Sequence, residues 1–137
     1  MAKLVGKWKL DRSENFEDYM KAIGVSVLIR KAALIFPNPT CEIEQPSDDQ
    51  YIITMNVPVV MTHVQKFTLG EPFEDMIPNG DKQMTIVEQD GDDKLHFREK
   101  DVSDPPHVVT RELVGNEMVM TLNKGSACCK RVFKRLK

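Results

Sequence analysis

Two arginines in the last third of the chain occupy settings that could do chemistry. Strict strand alternation places Arg111 on the same face as Leu113, and it places Arg131 on the same face as Phe133. A guanidinium among apolar residues needs an anionic partner, and it can hold a carboxylate through two parallel hydrogen bonds. The pattern is therefore compatible with a site for a carboxylate ligand. Taken alone, it favours two arginines that are solvated or paired within the fold.

Motifs for catalysis are absent from the sequence. It contains no G-x-S-x-G, no Gly-rich phosphate loop, no H-E-x-x-H and no C-x-x-C. Cys128 and Cys129 are adjacent, but no histidine is evidently placed to activate a thiol. The three histidines are far apart and match no metal-ligand spacing. We therefore expect a protein that is not an enzyme and that needs no metal or other cofactor.

The composition is that of one ordinary globular domain covering residues 1–137. Hydrophobic residues make up 41% of the chain and charged residues 29%, and the net charge of −2 gives no reason to expect nucleic acid as a partner. No apolar run is long enough for a membrane span or a secretory core. The three cysteines suggest no disulfide framework. We expect a monomer with reduced thiols in the cytosol or nucleus.

Predicted helices are confined to the first third of the chain. The apolar face of one helix consists of Phe16, Tyr19, Met20 and Ile23, and that of a second, short helix consists of Val25, Leu28, Ile29 and Ala32. After residue 40 the sequence predicts short strands at a spacing of ~10 residues, separated by turn signals. Evenly spaced antiparallel strands predict a barrel or a sandwich, and two helices after the first strand could cover one end of a barrel.

Three blocks carry a family resemblance that extends over essentially the whole chain. They are GKWKLDRSENFEDYMK at residues 6–21, FTLGEPFED at residues 67–75, and the strand-forming segment of residues 110–133. The sequence thereby resembles the intracellular lipid-binding proteins, which include fatty-acid-binding and cellular retinoic-acid-binding proteins. The resemblance implies an all-β fold with a small helical lid. It would be a ten-stranded antiparallel up-and-down β-barrel of the lipocalin-like (calycin) type, with a helix-turn-helix between the first and second strands.

The same resemblance assigns roles to individual residues. Arg111 and Arg131 match two inward arginines that bind the ligand carboxylate, whereas Phe133 replaces a tyrosine of the family and lacks its hydroxyl. Contacts with the ligand tail are expected from Phe16, Tyr19, Met20, Met120 and Leu122. Arg98 matches an inward glutamine position and is expected to be either a third interior polar group or solvated. Asp81 stands where the family often has an arginine below the portal.

The implied function is binding and transport of long-chain fatty acids or related acyl lipids in an internal cavity. A retinoic-acid carrier and a protein-interaction barrel with a vestigial cavity are the alternatives. Lys21, Arg30 and Lys31 match lid residues that, in some family members, form a nuclear-localisation patch that ligand binding exposes. Those members deliver lipid to nuclear receptors, so a receptor and an importin would then be partners. Otherwise these three residues are solvated charges, or a patch for transient contact with anionic membranes.

Overall fold

The computed structural model describes residues 3–35, 38–57 and 61–136, which form ten strands and two helices. The elements are β1 (Gly6–Glu14), α1 (Phe16–Ala22), α2 (Val27–Ile35), β2 (Thr40–Ser47), β3 (Gln50–Val57), β4 (Met61–Thr68), β5 (Phe73–Met76), β6 (Lys82–Asp90), β7 (Lys94–Glu99), β8 (His107–Val114), β9 (Glu117–Lys124) and β10 (Ala127–Arg135). Neither described helix has the length and apolar character needed to cross a bilayer.

The ten strands form one antiparallel sheet that curls into a nearly closed barrel. Their order is β4-β3-β2-β1-β10-β9-β8-β7-β6-β5, so β1 pairs with β10 and every other pair is consecutive in the chain. The two end strands, β4 and β5, share no backbone ladder, but the rings of Phe67 and Phe73 stack between them with centroids 5.2 Å apart. This topology confirms the predicted ten-stranded barrel with two helices between the first and second strands.

Alternation along the strands separates the interior from the outer surface. Leu95 and Phe97 of β7 are buried, for example, whereas the intervening His96 is partly exposed. Trp8 of β1 is fully buried, and its indole N–H donates a 2.9 Å hydrogen bond to the carbonyl of Leu4. Because that N–H is the only polar atom of the indole, the ring can be buried without an unsatisfied donor.

Helix α1 has the predicted apolar face. Tyr19, Met20 and Ile23 are buried and Phe16 is half-buried. The helix follows Asn15, which adopts a left-handed conformation with φ 60° and donates its side-chain amide to the carbonyl of Cys128 at 3.3 Å. That bond ties the turn between β1 and α1 to strand β10. We refer to α1 and α2 together as the lid.

The predicted apolar face of the second helix is wrong for Leu28 and Ile29. Val25 is buried but precedes α2, and Leu28 and Ile29 are 80% and 55% exposed. Within α2, Ala32 of the predicted face is partly buried, and so is Arg30 outside it. Periodicity identified a helix at this place, but it could not determine which side of the helix packs against the rest of the protein.

Candidate functional site

The two arginines singled out by the sequence lie on one inward row of the barrel. The strand register pairs Arg111 of β8 with Met120 of β9, and it pairs Met120 with Arg131 of β10. Because neighbouring strands lie ~4.8 Å apart, the two arginine Cα atoms are separated by roughly 10 Å and their side chains leave the same face of the sheet. The barrel thus brings together two cations that are distant in sequence.

Arg111 is buried without a carboxylate partner. The residue is only 3% exposed. Its Nη1 donates a long hydrogen bond of 3.9 Å to the Sγ of Cys41. Its Nε has no hydrogen-bond partner, and no aspartate or glutamate of the described chain lies within ion-pair distance of it. A buried charge is costly unless it is paired, so this position favours an anion inside the barrel.

Arg131 connects the interior of the barrel with the lid. Its Nε donates to the hydroxyl of Ser13 at 3.1 Å, and its guanidinium carbon lies 3.8 Å from the ring centroid of Phe16. Burial lowers the pKa of Arg131 to about 10, and the like charge of Arg111 acts in the same direction. An anion placed between the two arginines would oppose both effects, because it stabilises the charged guanidinium.

A cleft of about 490 Å³ opens beside Arg131. Among its lining residues are Leu10, Phe16, Ala33, Pro39, Val57 and Arg131. The volume lies within the range of small-molecule pockets, and the walls combine apolar side chains with the cations Arg12 and Arg131 and with the carboxylates of Glu17 and Asp18. The apolar walls beside Arg131 are compatible with an acidic ligand that has an apolar part.

The residues predicted to contact the tail lie on the lid and on the adjacent wall. Tyr19 and Met20 are buried on α1, Met120 and Leu122 are buried on β9, and Phe16 is half-buried against Arg131. Phe133 is fully buried, and its register neighbours are Leu10 on β1 and Met118 on β9. The aromatic ring at this position thus packs among apolar side chains.

A buried polar network beneath the lid has no signal in the sequence. The side-chain amide of Gln83 donates to Thr85 Oγ1 at 3.0 Å, so its oxygen accepts from Nδ1 of His107, also at 3.0 Å. Nε2 of His107 is therefore left to accept the hydroxyl hydrogen of Tyr19 at 2.5 Å. Burial lowers the pKa of His107, in agreement with a neutral imidazole, and burial raises the pKa of Tyr19.

Arg98 does not face the interior, so the expectation of a third inward polar group is wrong. Its neighbours Phe97 and Glu99 are buried, and alternation therefore turns the intervening Arg98 outward. Its side chain is 48% exposed, and its Nε donates to Glu88 Oε1 at 2.5 Å. The other expectation, a solvated arginine, describes what the structure contains.

The three lid cations differ in their exposure. Lys21 on α1 and Lys31 on α2 are exposed. Arg30 is half-buried, and its Nη1 donates a 2.7 Å hydrogen bond to the carbonyl of Val25. The guanidinium of Arg30 is thus used to fix the entry into α2.

Asp81 lies in the turn between β5 and β6 and helps to position the lid. Its Oδ2 accepts a 3.0 Å hydrogen bond from the side-chain amide of Asn79. The same amide donates to the carbonyl of Ile23 at 2.8 Å. The acidic residue at the portal is therefore part of a contact between this turn and the end of α1.

Comparisons with known proteins cover nearly the whole chain. The model of the "Lipocalin / cytosolic fatty-acid binding protein family" matches residues 5–136. Fatty acid-binding protein homolog 5 of Caenorhabditis elegans is 37% identical over 134 residues, which are 96% of this chain and 95% of that protein. Human cellular retinoic acid-binding protein 1 is 32% identical over 138 residues, with coverages of 98% and 99%. The solved structure of a Schistosoma mansoni fatty acid binding protein in complex with arachidonic acid superposes with a TM-score of 0.86 at 28% identity, covering 97% of this chain and 96% of that one.

Proposed function

Because this chain belongs to the lipocalin / cytosolic fatty-acid binding protein family, we propose that it is a carrier that holds one long-chain fatty acid inside its barrel. The carboxylate of the ligand binds between Arg111 and Arg131, and its tail extends beneath the lid. The observation that carries this proposal is the setting of Arg111, a buried cation with no carboxylate within reach in the described part of the chain.

The two parts of the ligand contribute differently to binding. A tail of ~15 methylenes at about 0.8 kcal/mol each gains ~12 kcal/mol on burial. Association then costs several kcal/mol or more in lost freedom, so the tail supplies most of the affinity. The arginines provide selection, because a neutral lipid would leave the charge of Arg111 uncompensated in the interior.

Retinoic acid is the second candidate ligand, and the similarity to the human retinoic acid-binding protein favours it. It too combines one carboxylate with an apolar body, so it would use the same pair of arginines. Its rigid polyene and ring differ from the flexible tail of a fatty acid. The two candidates therefore make different demands on the space beneath Phe16 and Met20.

Displacement of a fluorescent fatty-acid probe tests the ligand class. Oleate should displace the probe with a stoichiometry near one, and retinoic acid measured beside it ranks the second candidate. Retinol should be a weak competitor, because its hydroxyl cannot neutralise a guanidinium. If retinol competes as well as oleate, a role of the arginines in selecting acids is excluded.

Substitutions of the arginines test the position of the head group. Arg111→Gln and Arg131→Gln should each weaken oleate binding by roughly 1.5–3 kcal/mol, the range of a charge-assisted hydrogen bond. Binding of oleyl alcohol should hardly change. Arg98→Gln is the matched control, since it removes the same charge from the outer face. Equal losses for the acid and the alcohol would show that the arginines act only on the fold.

Native mass spectrometry separates a carrier from an enzyme and from a barrel without a working cavity. A carrier should be purified with endogenous acyl lipid bound, and the lipid should be released chemically unchanged after incubation. Conversion of the bound lipid would indicate catalysis. Protein that neither retains lipid nor takes up added oleate would instead support the interaction barrel.

Delivery of the ligand is the least constrained part of the proposal. We expect the protein in the cytosol, where α2 could touch membranes during exchange, because it exposes Leu28 and Ile35 near Lys31. Transfer of a fluorescent fatty acid to anionic vesicles should then slow on Leu28→Ser. Import into the nucleus and transfer to a receptor would require the lid cations to form one patch.

A further inference from the structure

We propose that Asp75, held by Gln65, forms a second polar subsite inside the barrel that accepts a hydrogen bond from a hydroxyl group on the ligand tail. The protein would then discriminate in favour of hydroxylated fatty acids over unsubstituted ones. This inference rests on the proposed function, since it presupposes that an acyl lipid occupies the barrel.

Asp75 faces the interior at the place where the sheet does not close. In β5 the side chains of Phe73 and Asp75 turn inward, whereas Glu74 and Met76 are exposed. Asp75 is only 9% exposed, and its Oδ2 accepts a 3.0 Å hydrogen bond from the side-chain amide of Gln65 on β4. A buried carboxyl group is therefore fixed in orientation across the gap between β4 and β5.

The second carboxyl oxygen of Asp75 is buried and accepts no hydrogen bond from the described residues. Nε2 of His63 lies 3.4 Å from this Oδ1, within ion-pair distance if the imidazole is protonated, but no hydrogen bond joins them. A carboxylate has acceptor capacity for several donors, and Asp75 uses one. The unused oxygen thus marks a position where a donor from another molecule would be stabilised.

The strand register places Asp75 far from the arginine row. Asp75 pairs with Gln83 on β6, and six residues further along that strand Gln89 pairs with Leu95, the partner of Arg111. Six residues correspond to roughly 20 Å along a strand. Asp75 and the arginine row therefore lie at different levels along the strands, and a ligand whose carboxylate lies at the arginines would meet Asp75 with part of its tail.

An unsubstituted tail and a hydroxylated tail then have different consequences for Asp75. Methylenes that displace water from this region leave Oδ1 without a donor in a dry environment. A hydroxyl at the right carbon restores a hydrogen bond, and a bond to a charged acceptor is stronger than one between neutral groups. The chemical class that fits the subsite is a long-chain fatty acid with a hydroxyl on its tail.

Probe displacement with matched ligand pairs tests the inference on the unmodified protein. Ricinoleate and oleate differ by one hydroxyl, and positional isomers of hydroxystearate can be compared with stearate. At least one hydroxylated ligand should bind more tightly than its unsubstituted counterpart. If every isomer binds no better than stearate, the inference is overturned while the proposed function stands. If neither stearate nor oleate binds, the proposed function itself fails.

A double substitution assigns the preference to the subsite. Gln65→Met with Asp75→Leu replaces both hydrogen-bonded partners by apolar groups of similar size, which avoids leaving one of them unpaired. The affinity ratio of hydroxylated to unsubstituted ligand should fall about tenfold, while stearate still binds. Glu74→Leu makes the same kind of change on the outer face and should leave the ratio unaltered. An unchanged ratio in the double variant contradicts the inference.

A spectroscopic measurement covers the case in which the double variant does not fold. The side-chain amide of Gln65 reports on Asp75 directly, because it donates to that carboxyl group. In NMR spectra of the unmodified protein, the best hydroxystearate should shift this amide signal more than stearate does. Identical shifts for the two ligands would rule out a hydroxyl at Asp75.

Discussion

The guanidinium carbon of Arg131 lies 3.8 Å from the centroid of the Phe16 ring, and Phe16 is the first residue of helix α1 in the lid. A cation over an aromatic face is attracted to it, most strongly where water is excluded. The contact joins one half of the proposed head-group site to the first residue of the lid. A carboxylate that binds Arg131 therefore also changes the electrostatic environment of Phe16.

A double-mutant cycle measures this contact. Phe16→Leu keeps an apolar side chain but removes the aromatic face, so the ligand-free protein should lose its cation–π attraction of about 0.5–2 kcal/mol. In a cycle with Arg131→Gln, the free energies of unfolding from urea titrations should be non-additive by a similar amount. Additive losses would mean that the two side chains are neighbours without an energetic interaction.

Phe133→Tyr tests the departure from the family tyrosine. The hydroxyl would lie on the inward face two residues from Arg131, where it could donate to a bound carboxylate. Oleate should bind more tightly by roughly 0.5–1.5 kcal/mol, as for one added hydrogen bond. The ligand-free protein should lose about 1–3 kcal/mol of stability, because the position is fully buried and has apolar register neighbours. Calorimetric titration measures the change in oleate affinity, and urea unfolding measures the change in stability. An unchanged oleate affinity would contradict a carboxylate bound near Arg131 and Phe133.

The sequence predicted the arginine row more successfully than the polar contacts that surround it. Strand alternation was sufficient to predict that Arg111 and Arg131 face the same side of the sheet, because strands β8 to β10 pair in a continuous register. The bond between Gln65 and Asp75 depends on closure of the barrel, and local patterns carry no information about closure. The bond between Tyr19 and His107 depends in the same way on where the lid settles.

Acid should destabilise the protein through His107. Burial lowers the pKa of its imidazole below the ordinary value of 6.5, so below that pH the unfolded chain binds a proton that the folded protein does not. The contribution of His107 is complete above pH 6.5 and is lost as the pH falls, with a slope of up to about 1.4 kcal/mol per pH unit. Urea unfolding at a series of pH values measures this slope.

His107→Gln separates this effect from other acid-sensitive groups. Glutamine can still hydrogen-bond to Tyr19 but does not titrate. The free energy of unfolding should therefore depend less steeply on pH just below pH 6.5, by the equivalent of up to one bound proton.

Glu99 affects stability in a lower pH range. Burial opposes its charge, but hydrogen bonds from Ser103 and from the backbone of His107 hold its pKa below 4.5. Its stabilisation is therefore lost only as the pH falls below 4.5, and an unchanged slope in His107→Gln would refute the assignment.

Nuclear import requires a change in the lid. Lys21 and Lys31 are exposed, whereas Arg30 is half-buried and donates one hydrogen bond to the carbonyl of Val25. Import that depends on ligand needs a second lid arrangement in which the three cations are presented differently. The ligand must interact differently with the two arrangements, and the lid residues Phe16 and Tyr19 are the ones placed to sense it.

The nuclear-to-cytoplasmic ratio of the protein in cells, with and without added oleate, measures this import. If the lid cations serve as an import patch, the ratio should rise with oleate for the unmodified protein and should stay low when Lys21, Arg30 and Lys31 are changed to Ala. A control variant with Lys7, Lys9 and Lys130 changed to Ala removes the same charge from exposed strand positions and should behave like the unmodified protein. If the lid variant follows the unmodified protein in oleate-fed cells, the three lid cations are surface charge and the protein delivers its ligand without them.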